Sequence, residues 1–401
     1  MDRLTESVRA FYEAYPYPAG SAVDLDGYHV RLLLSYLDRA APARQPLRVL
    51  EAGCGRGLNL QAAAALQPDV DFTGIDINRV AIDEAQQSAV RRGLKNLRFQ
   101  TGNLLDPASL PMIGEGYDLI LSYGVIHHLG DPLIGLRELV ERLAPQGVMA
   151  LMVDGLYGRQ PLNRFIEVLS MLEPVVEPAV ARMTSARSLA SVAEETLFKG
   201  NCWQGTAAVE EVEFADRCLH VHEHQYEIDS LWQLLADAGM AFLRWREPLE
   251  WSLGLLSEDA RLQAKFSRLE ALQQYRLIER LCYRPKFSLV IARREDQART
   301  PLDRLSVAQT CFQINPQLKP LSESETPAYR LRLQPPRPVD PLEQQLLTQA
   351  VSCASGFQGA EMAERLGMTG NAADTLYDLL WRLERDEWLY RPHDLPLGAT
   401  S

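Results

Sequence analysis

Between Leu47 and Arg294 short apolar runs alternate with stretches of helical spacing. The runs are LRVLEAG from Leu47, DFTGIDI from Asp71, LRFQTGN from Leu97, YDLILSYG from Tyr117 and GVMALMVD from Gly147, followed by AFLRWRE from Ala241 and KFSLVIARR from Lys286. The spacing predicts helices over Leu58 to Leu66, Arg79 to Arg92, Pro132 to Leu143 and Asp229 to Ala238, with a further helical stretch around Glu258 to Tyr275. The βαβα rhythm of the first five runs predicts an open α/β domain whose parallel sheet carries helices on both faces. From about Leu162 to Glu211 the rhythm is interrupted: Phe165, Leu169 and Leu172, then Leu189, Val192 and Leu197, supply helical apolar faces. This stretch is expected to be a helical cap spliced into the domain.

The two ends differ from the middle. Leu4 to Tyr17 closes on Tyr15-Pro16-Tyr17-Pro18, where two prolines stop a helix and hold the tyrosines on an extended turn. Val30, Leu33, Leu34 and Leu37 predict one amphipathic helix ending near Pro42. Beyond Asp296 come a polar stretch and prolines at 335, 336 and 338. Helices then follow over Pro341 to Ala354, Ala360 to Leu366 and Asn371 to Asp386, with a short strand at Trp388 to Tyr390. That pattern resembles a small winged-helix unit. The chain is expected to divide into 1–46, a domain over 47–297 with its cap at 160–215, and 298–401.

Length and charge narrow the class. At 401 residues the chain allows two or three units, given roughly 150 residues per domain. No apolar run approaches the ~20 residues of a membrane helix, and the start lacks the features of a signal peptide, so a cytoplasmic location is expected. The net charge of −12 repels a phosphate backbone. Between Pro335 and Leu395 five arginines face ten acids, so the helix-turn-helix texture there predicts packing, homo-oligomerisation or partner docking rather than DNA binding. Six cysteines without a CxxC pair indicate neither a disulfide framework nor a zinc site.

The strongest chemical signal is Glu51-Ala52-Gly53-Cys54-Gly55-Arg56-Gly57, set between a strand and a helix. Alternate glycines let a ligand approach the backbone while the chain turns from sheet to helix. Nicotinamide, flavin and S-adenosylmethionine folds all use such a loop. Its company is more specific. Asp76 ends the second strand, where an acid can accept from both ribose hydroxyls, and Asn103 ends the third, with an amide suited to adenine. The fourth strand runs into Ser122-Tyr123-Gly124-Val125-Ile126-His127-His128-Leu129.

Together these motifs resemble the class I S-adenosylmethionine-dependent methyltransferases, over about Leu47 to Asp154 with weaker support to Arg294. The resemblance implies a Rossmann-like seven-stranded sheet and S-adenosylmethionine as cofactor. It implies that Glu51, Gly53, Gly55, Asp76, Ile77, Asn103, Leu104, Ser122 and His128 line the cofactor. Glu51 and Asn103 each stand where Asp is commoner in that family. The acceptor is expected to be a small molecule or a protein side chain. His127 or Tyr15 would assist proton removal and Arg159 would contact the acceptor, an arginine there being able to clamp a carboxylate.

Other readings stay open. Tyr12, Tyr15 and Tyr17 form either a lid over the cofactor or a helix face packed on the sheet edge. Arg159 is either a clamp or a capping arginine. His220-Val221-His222-Glu223-His224 alternates three imidazoles, yet no partner motif adds to it, so no metal is expected. The rival functions are intramolecular attack within S-adenosylmethionine and a non-catalytic cofactor-binding scaffold.

Overall fold

The computed structural model describes residues 3–18, 20, 28–38, 46–106, 108, 110–173, 179–255, 257–282, 284–296, 298–321, 327–332, 334–353 and 355–393. In chain order the first elements are α1 (Arg3–Ala14), α2 (Val30–Leu34), β1 (Leu47–Ala52), α3 (Leu58–Leu66), β2 (Val70–Asp76), α4 (Arg79–Arg91) and β3 (Leu97–Thr101). Then come β4 (Tyr117–Tyr123), α5 (Pro132–Arg142), β5 (Leu143–Asp154), α6 (Leu156–Leu172), α7 (Ala179–Glu194), α8 (Glu211–Cys218), α9 (Ile228–Asp237), β6 (Met240–Trp245), α10 (Ala260–Phe266), α11 (Ala271–Leu281) and β7 (Lys286–Arg293).

The chain forms two compact units, one of residues 1–28 and 46–294, the other of 29–45 and 295–401. In the first, seven strands lie in the order β3-β2-β1-β4-β5-β7-β6. The five strands from β3 to β5 pair parallel, while β7 runs antiparallel to both β5 and β6. The parallel expectation, drawn from the alternation between Leu47 and Asp154, holds for these five strands. The order reverses at β1, which lies between β2 and β4, so the crevice past the C-terminal ends of β1 and β4 is where an open α/β sheet receives a ligand.

Between β5 and α9 the chain forms α6, α7 and α8. Phe165, Ala186, Ala190 and Phe214 of these helices share one apolar cluster with Phe11 and Tyr15 of the N-terminal segment. Trp203 donates its indole N–H to the carbonyl of Gly158 at 2.8 Å. Gly158 itself is pressed onto the backbone at Arg284 and Pro285, where an added Cβ would overlap main-chain atoms.

In the second unit α2 is only five residues long, shorter than the helix expected from Val30 to Leu37. The chain turns after it, Leu37 bridges Ala298, and Arg299 N–H donates to the carbonyl of Tyr36 at 3.0 Å. The expected close near Pro42 lies outside the described residues. The remaining elements are β8 (Cys311–Ile314), β9 (Leu318–Leu321), β10 (Ala328–Leu331), β11 (Arg337–Pro338), α12 (Pro341–Ser352), β12 (Phe357–Gln358), α13 (Gly359–Arg365), α14 (Asn371–Arg385) and β13 (Leu389–Tyr390). Asp340 caps α12 and exchanges hydrogen bonds with Glu343, with Pro341 in the first turn, the combination that starts a helix most firmly. Two three-stranded sheets, β12-β8-β13 and β11-β10-β9, complete the unit, and Phe312, Leu346, Leu376, Leu380 and Trp388 are among its core.

Gly158 gives a sharp test. In an open helix Gly→Ala stabilises by roughly 1 kcal/mol. Here overlap with the Arg284 backbone should reverse the sign, and Gly158→Ala is expected to lower stability by about 1–3 kcal/mol in urea unfolding. A variant at least as stable as the parent would contradict the packing of α6 on that segment.

Candidate active site

A cavity of about 400 Å³ follows the C-terminal edge of the sheet, from the ends of β1, β2 and β3 to the end of β5 and the region of α8. At its first end, Gly53 N–H and Cys54 N–H both donate to the carbonyl of Ile75, at 2.7 and 3.0 Å, which ties the glycine loop to β2. Asp76 then accepts from Gly55 N–H at 2.7 Å through one oxygen and from Asn78 N–H at 2.8 Å through the other. Burial raises the Asp76 carboxyl above its ordinary value, and these backbone donors oppose the rise. Gly55 has φ of +52°, and a Cβ on it would overlap the carbonyl oxygen of Tyr17. The close approach that this glycine permits is therefore made by the N-terminal segment.

Glu51 projects into the same end. The Tyr28 hydroxyl donates to its Oε1 at 2.6 Å, while Oε2 is buried with no partner. Burial pushes this carboxyl up to about 8, with the Tyr28 hydrogen bond opposing and the Asp76 charge adding to the rise. Tyr28 also stacks on Tyr123, the rings 5.6 Å apart and 9° from parallel. Asn103 uses Oδ1 to accept Leu105 N–H at 2.9 Å. Ile77 and Leu104 supply apolar wall.

The other end is polar and enclosed. Arg159 places one nitrogen 2.9 Å from Asp154 Oδ2 and another 2.6 Å from Glu223 Oε2, all three side chains being buried or nearly so. His127 Nε2 lies 3.5 Å from the same Asp154 oxygen, and its Nδ1 is buried without a partner. The Tyr12 hydroxyl donates to Asp216 at 3.1 Å, and His128 Nδ1 is 2.9 Å from the carbonyl of His222. Burial lowers the His127 and His128 imidazoles below their ordinary range, so both rest neutral. Asp154, Glu213, Asp216 and Glu223 face Arg159, Arg217 and Lys286 across this end.

Residues 50–149 match the family model described as a methyltransferase domain. The cavity fits the cofactor of such a domain: it offers glycines at the strand-to-helix turn and an unsatisfied buried carboxyl oxygen beside an acid positioned for a nucleoside. The chain is an S-adenosylmethionine-dependent methyltransferase. An uncharacterized protein of Synechococcus sp. is 30% identical over 299 residues, 70% of this chain and 69% of that one, and the methyltransferase belongs to its family. The uncharacterized methyltransferase YcgJ of Bacillus subtilis is 30% identical over 154 residues, 38% of this chain and 57% of that one. PKMT2 from Rickettsia typhi in complex with AdoHcy shares the fold, with a TM-score of 0.67 at 16% identity over 95% of this chain and 78% of that chain.

The cavity of the methyltransferase brings together Glu51, Gly53, Gly55, Asp76, Ile77, Asn103, Leu104, His127, His128 and Arg159. Tyr15 and Ser122 lie outside its lining. Tyr15 is buried in the apolar cluster it shares with α6 to α8. Ser122 is fully buried in the sheet, and its neighbour Tyr123 faces the cavity instead. Arg159 is already neutralised by two carboxylates, which removes the free charge that a carboxylate clamp needs. Tyr28 and Asp216 are lining residues that the motifs did not single out, while Tyr12 and Glu223 come from the tyrosine-rich segment and the histidine-rich run. Among the described residues no group of three or more His, Cys, Asp or Glu is arranged to hold a metal, and no helix is long and apolar enough to cross a membrane.

Glu51 makes the ligand-free protein pH-sensitive. Its carboxyl is raised from 4.5 to about 8 in the folded state, so its contribution to stability is present below 4.5 and is lost as pH rises through 8. Glu51→Gln should therefore raise the melting temperature of the ligand-free protein by several degrees at pH 9 and much less at pH 5. Equal shifts at both pH values in parallel melts would remove the buried-carboxyl assignment.

Proposed function

We propose that the methyltransferase acts on an acceptor enclosed at the polar end of the cavity, a small molecule or a protein side chain that reaches between the N-terminal segment and α6 to α8. The observation that carries this reading is the single continuous cavity, whose cofactor-type residues and whose buried Asp154, Arg159 and Glu223 belong to one lining. The cofactor, when bound, supplies an electrophilic methyl group on a sulfonium, already an excellent leaving group. What the chain must add is position and dryness. Helices α6 to α8 act as a cap over the sheet edge, and α1 with the turn to Pro18 closes the near side, so that water is excluded and the acceptor is oriented.

In this reading Asp76 holds the ribose, Asn103 with Leu104 and Ile77 holds the adenine, and Glu51, Gly53 and Gly55 receive the amino-acid part. Arg159 acts as an organiser that keeps Asp154 and Glu223 in place. The second unit is a winged-helix-like module that serves homo-oligomerisation or partner docking, its acidic balance being unsuited to nucleic acid. The protein works in the cytoplasm.

Asp76→Ala should weaken binding of S-adenosylhomocysteine ten- to a hundredfold in calorimetry, since losing a charge-assisted bond costs ~1.5–3 kcal/mol. Unchanged affinity would defeat the ribose assignment. Incubation with methyl-labelled S-adenosylmethionine and a soluble cell extract tests the reaction itself. Label should pass into a small-molecule or protein fraction with release of S-adenosylhomocysteine. Release of methylthioadenosine would replace methyl transfer by cyclisation, and no turnover would leave a scaffold.

A further inference from the structure

The loop after β4 brings two adjacent imidazoles to the cavity, and their surroundings give them different chemistry. His127 is sealed in: its Nε2 faces Asp154 Oδ2, and its Nδ1 is buried with no partner. A base must meet the proton it takes, and neither nitrogen of His127 is offered to an acceptor. His128 is held differently. A carbonyl oxygen can only accept, so the 2.9 Å contact to the His222 carbonyl requires that Nδ1 of His128 carry the proton. The lone pair is then on Nε2, which has no hydrogen-bond partner among the described residues.

We propose that His128 is the proton acceptor of the methyl transfer, with the His222 carbonyl fixing its tautomer and His127 serving only to hold Asp154. This rests on the methyltransferase reading and reverses the roles expected from the motif alone. The acceptor's X–H group attacks the methyl carbon; the X–C bond forms, the C–S bond breaks, and its electron pair stays on sulfur. The proton on X passes to Nε2 of His128, which becomes an imidazolium and later releases the proton to water.

The surroundings suit that cycle. Burial, the largest influence, disfavours the charged ring, as does Arg159, while Asp216 of α8, the His222 carbonyl and Glu223 favour it. His220 lies against His128, the ring centroids 3.8 Å apart and the planes tilted by 33°, and its Nδ1 accepts from His222 N–H at 3.1 Å. Tyr12 stands edge-on, its centroid 6.2 Å from that of His128, and its hydroxyl is committed to Asp216. His127, the remaining neighbour, is neutral. A neutral ring with carboxylates near at hand is ready to accept a proton and to hold it briefly. The histidine-rich segment thus contributes through its main chain, by orienting another ring.

The tautomer can be read without knowing the acceptor. In ¹⁵N-histidine NMR of the full-length protein at pH 8, with His128→Gln used for assignment, neutral His128 should appear as the Nδ1–H tautomer. An Nε2–H tautomer would overturn the proposal. The reaction is read with methyl-labelled S-adenosylmethionine and a soluble extract as acceptor source. His128→Gln should cut label transfer about a hundredfold or more, with affinity for S-adenosylhomocysteine unchanged. Added imidazole should restore part of the rate to His128→Ala, more so as pH rises. Transfer by His128→Gln at the wild-type rate, or a loss traced wholly to cofactor affinity, would sink the assignment. If the wild-type protein transfers no label, the methyl-transfer reading fails, while the NMR result still decides the tautomer.

Discussion

One half-buried carboxylate ties the working edge of the sheet together. Asp76 accepts from the glycine loop at Gly55 and from the start of α4 at Asn78, and its own carbonyl accepts from Gly102 N–H at 2.9 Å, just past β3. Three separate chain segments are thereby fixed to the end of one strand. Backbone donors suit this purpose because a main-chain N–H cannot rotate away, so the carboxylate keeps its place with or without a ligand. The positions of Glu51 and Asn103 follow from that anchor, since both lie next to segments that it secures.

The second consequence is electrostatic. The cavity gathers six carboxylates, Glu51, Asp76, Asp154, Glu213, Asp216 and Glu223, in a space where water is scarce. Burial disfavours the charged form and raises the Glu51, Asp76, Asp154 and Glu223 carboxyls. The chain offsets this in two ways. At the polar end Arg159 is divided between two acids; at the cofactor end a tyrosine hydroxyl supports Glu51. What remains unsatisfied, above all Glu51 Oε2, is a demand that a cationic or donating group can meet. Stability is given up at the place where binding is to occur.

Much of this was legible in the sequence, for a physical reason. A strand buried on both faces followed by an amphipathic helix leaves a strong periodic signal, and Glu51, Asp76 and Asn103 are readable because each falls at a strand end. The failures are equally local. Along β4 side chains alternate between faces, so a shift of one residue separates the buried Ser122 from Tyr123 in the cavity. In the N-terminal segment Tyr12 and Tyr15 both pack against the cluster around Phe165, yet only Tyr12 also reaches the cavity, where it faces His128. Strands of two to four residues, such as β8 and β12, are too short to show a period. Tyr28 carries no motif at all; only folding brings it to Glu51.

The route of the chain between its two units has a consequence for how the protein is made. The chain leaves the first unit after Tyr28, returns at Pro46, and leaves again after Arg294, so the segment with α2 belongs to a unit whose other parts are translated last. Leu37 has no strand partner until Ala298 has emerged from the ribosome. Val30, Leu32, Leu33 and Leu34, all buried in the finished protein, are thus made well before most of their unit, with the whole seven-stranded sheet synthesised in between. The sheet can condense as it is made. The second unit is obliged to wait for its last segment.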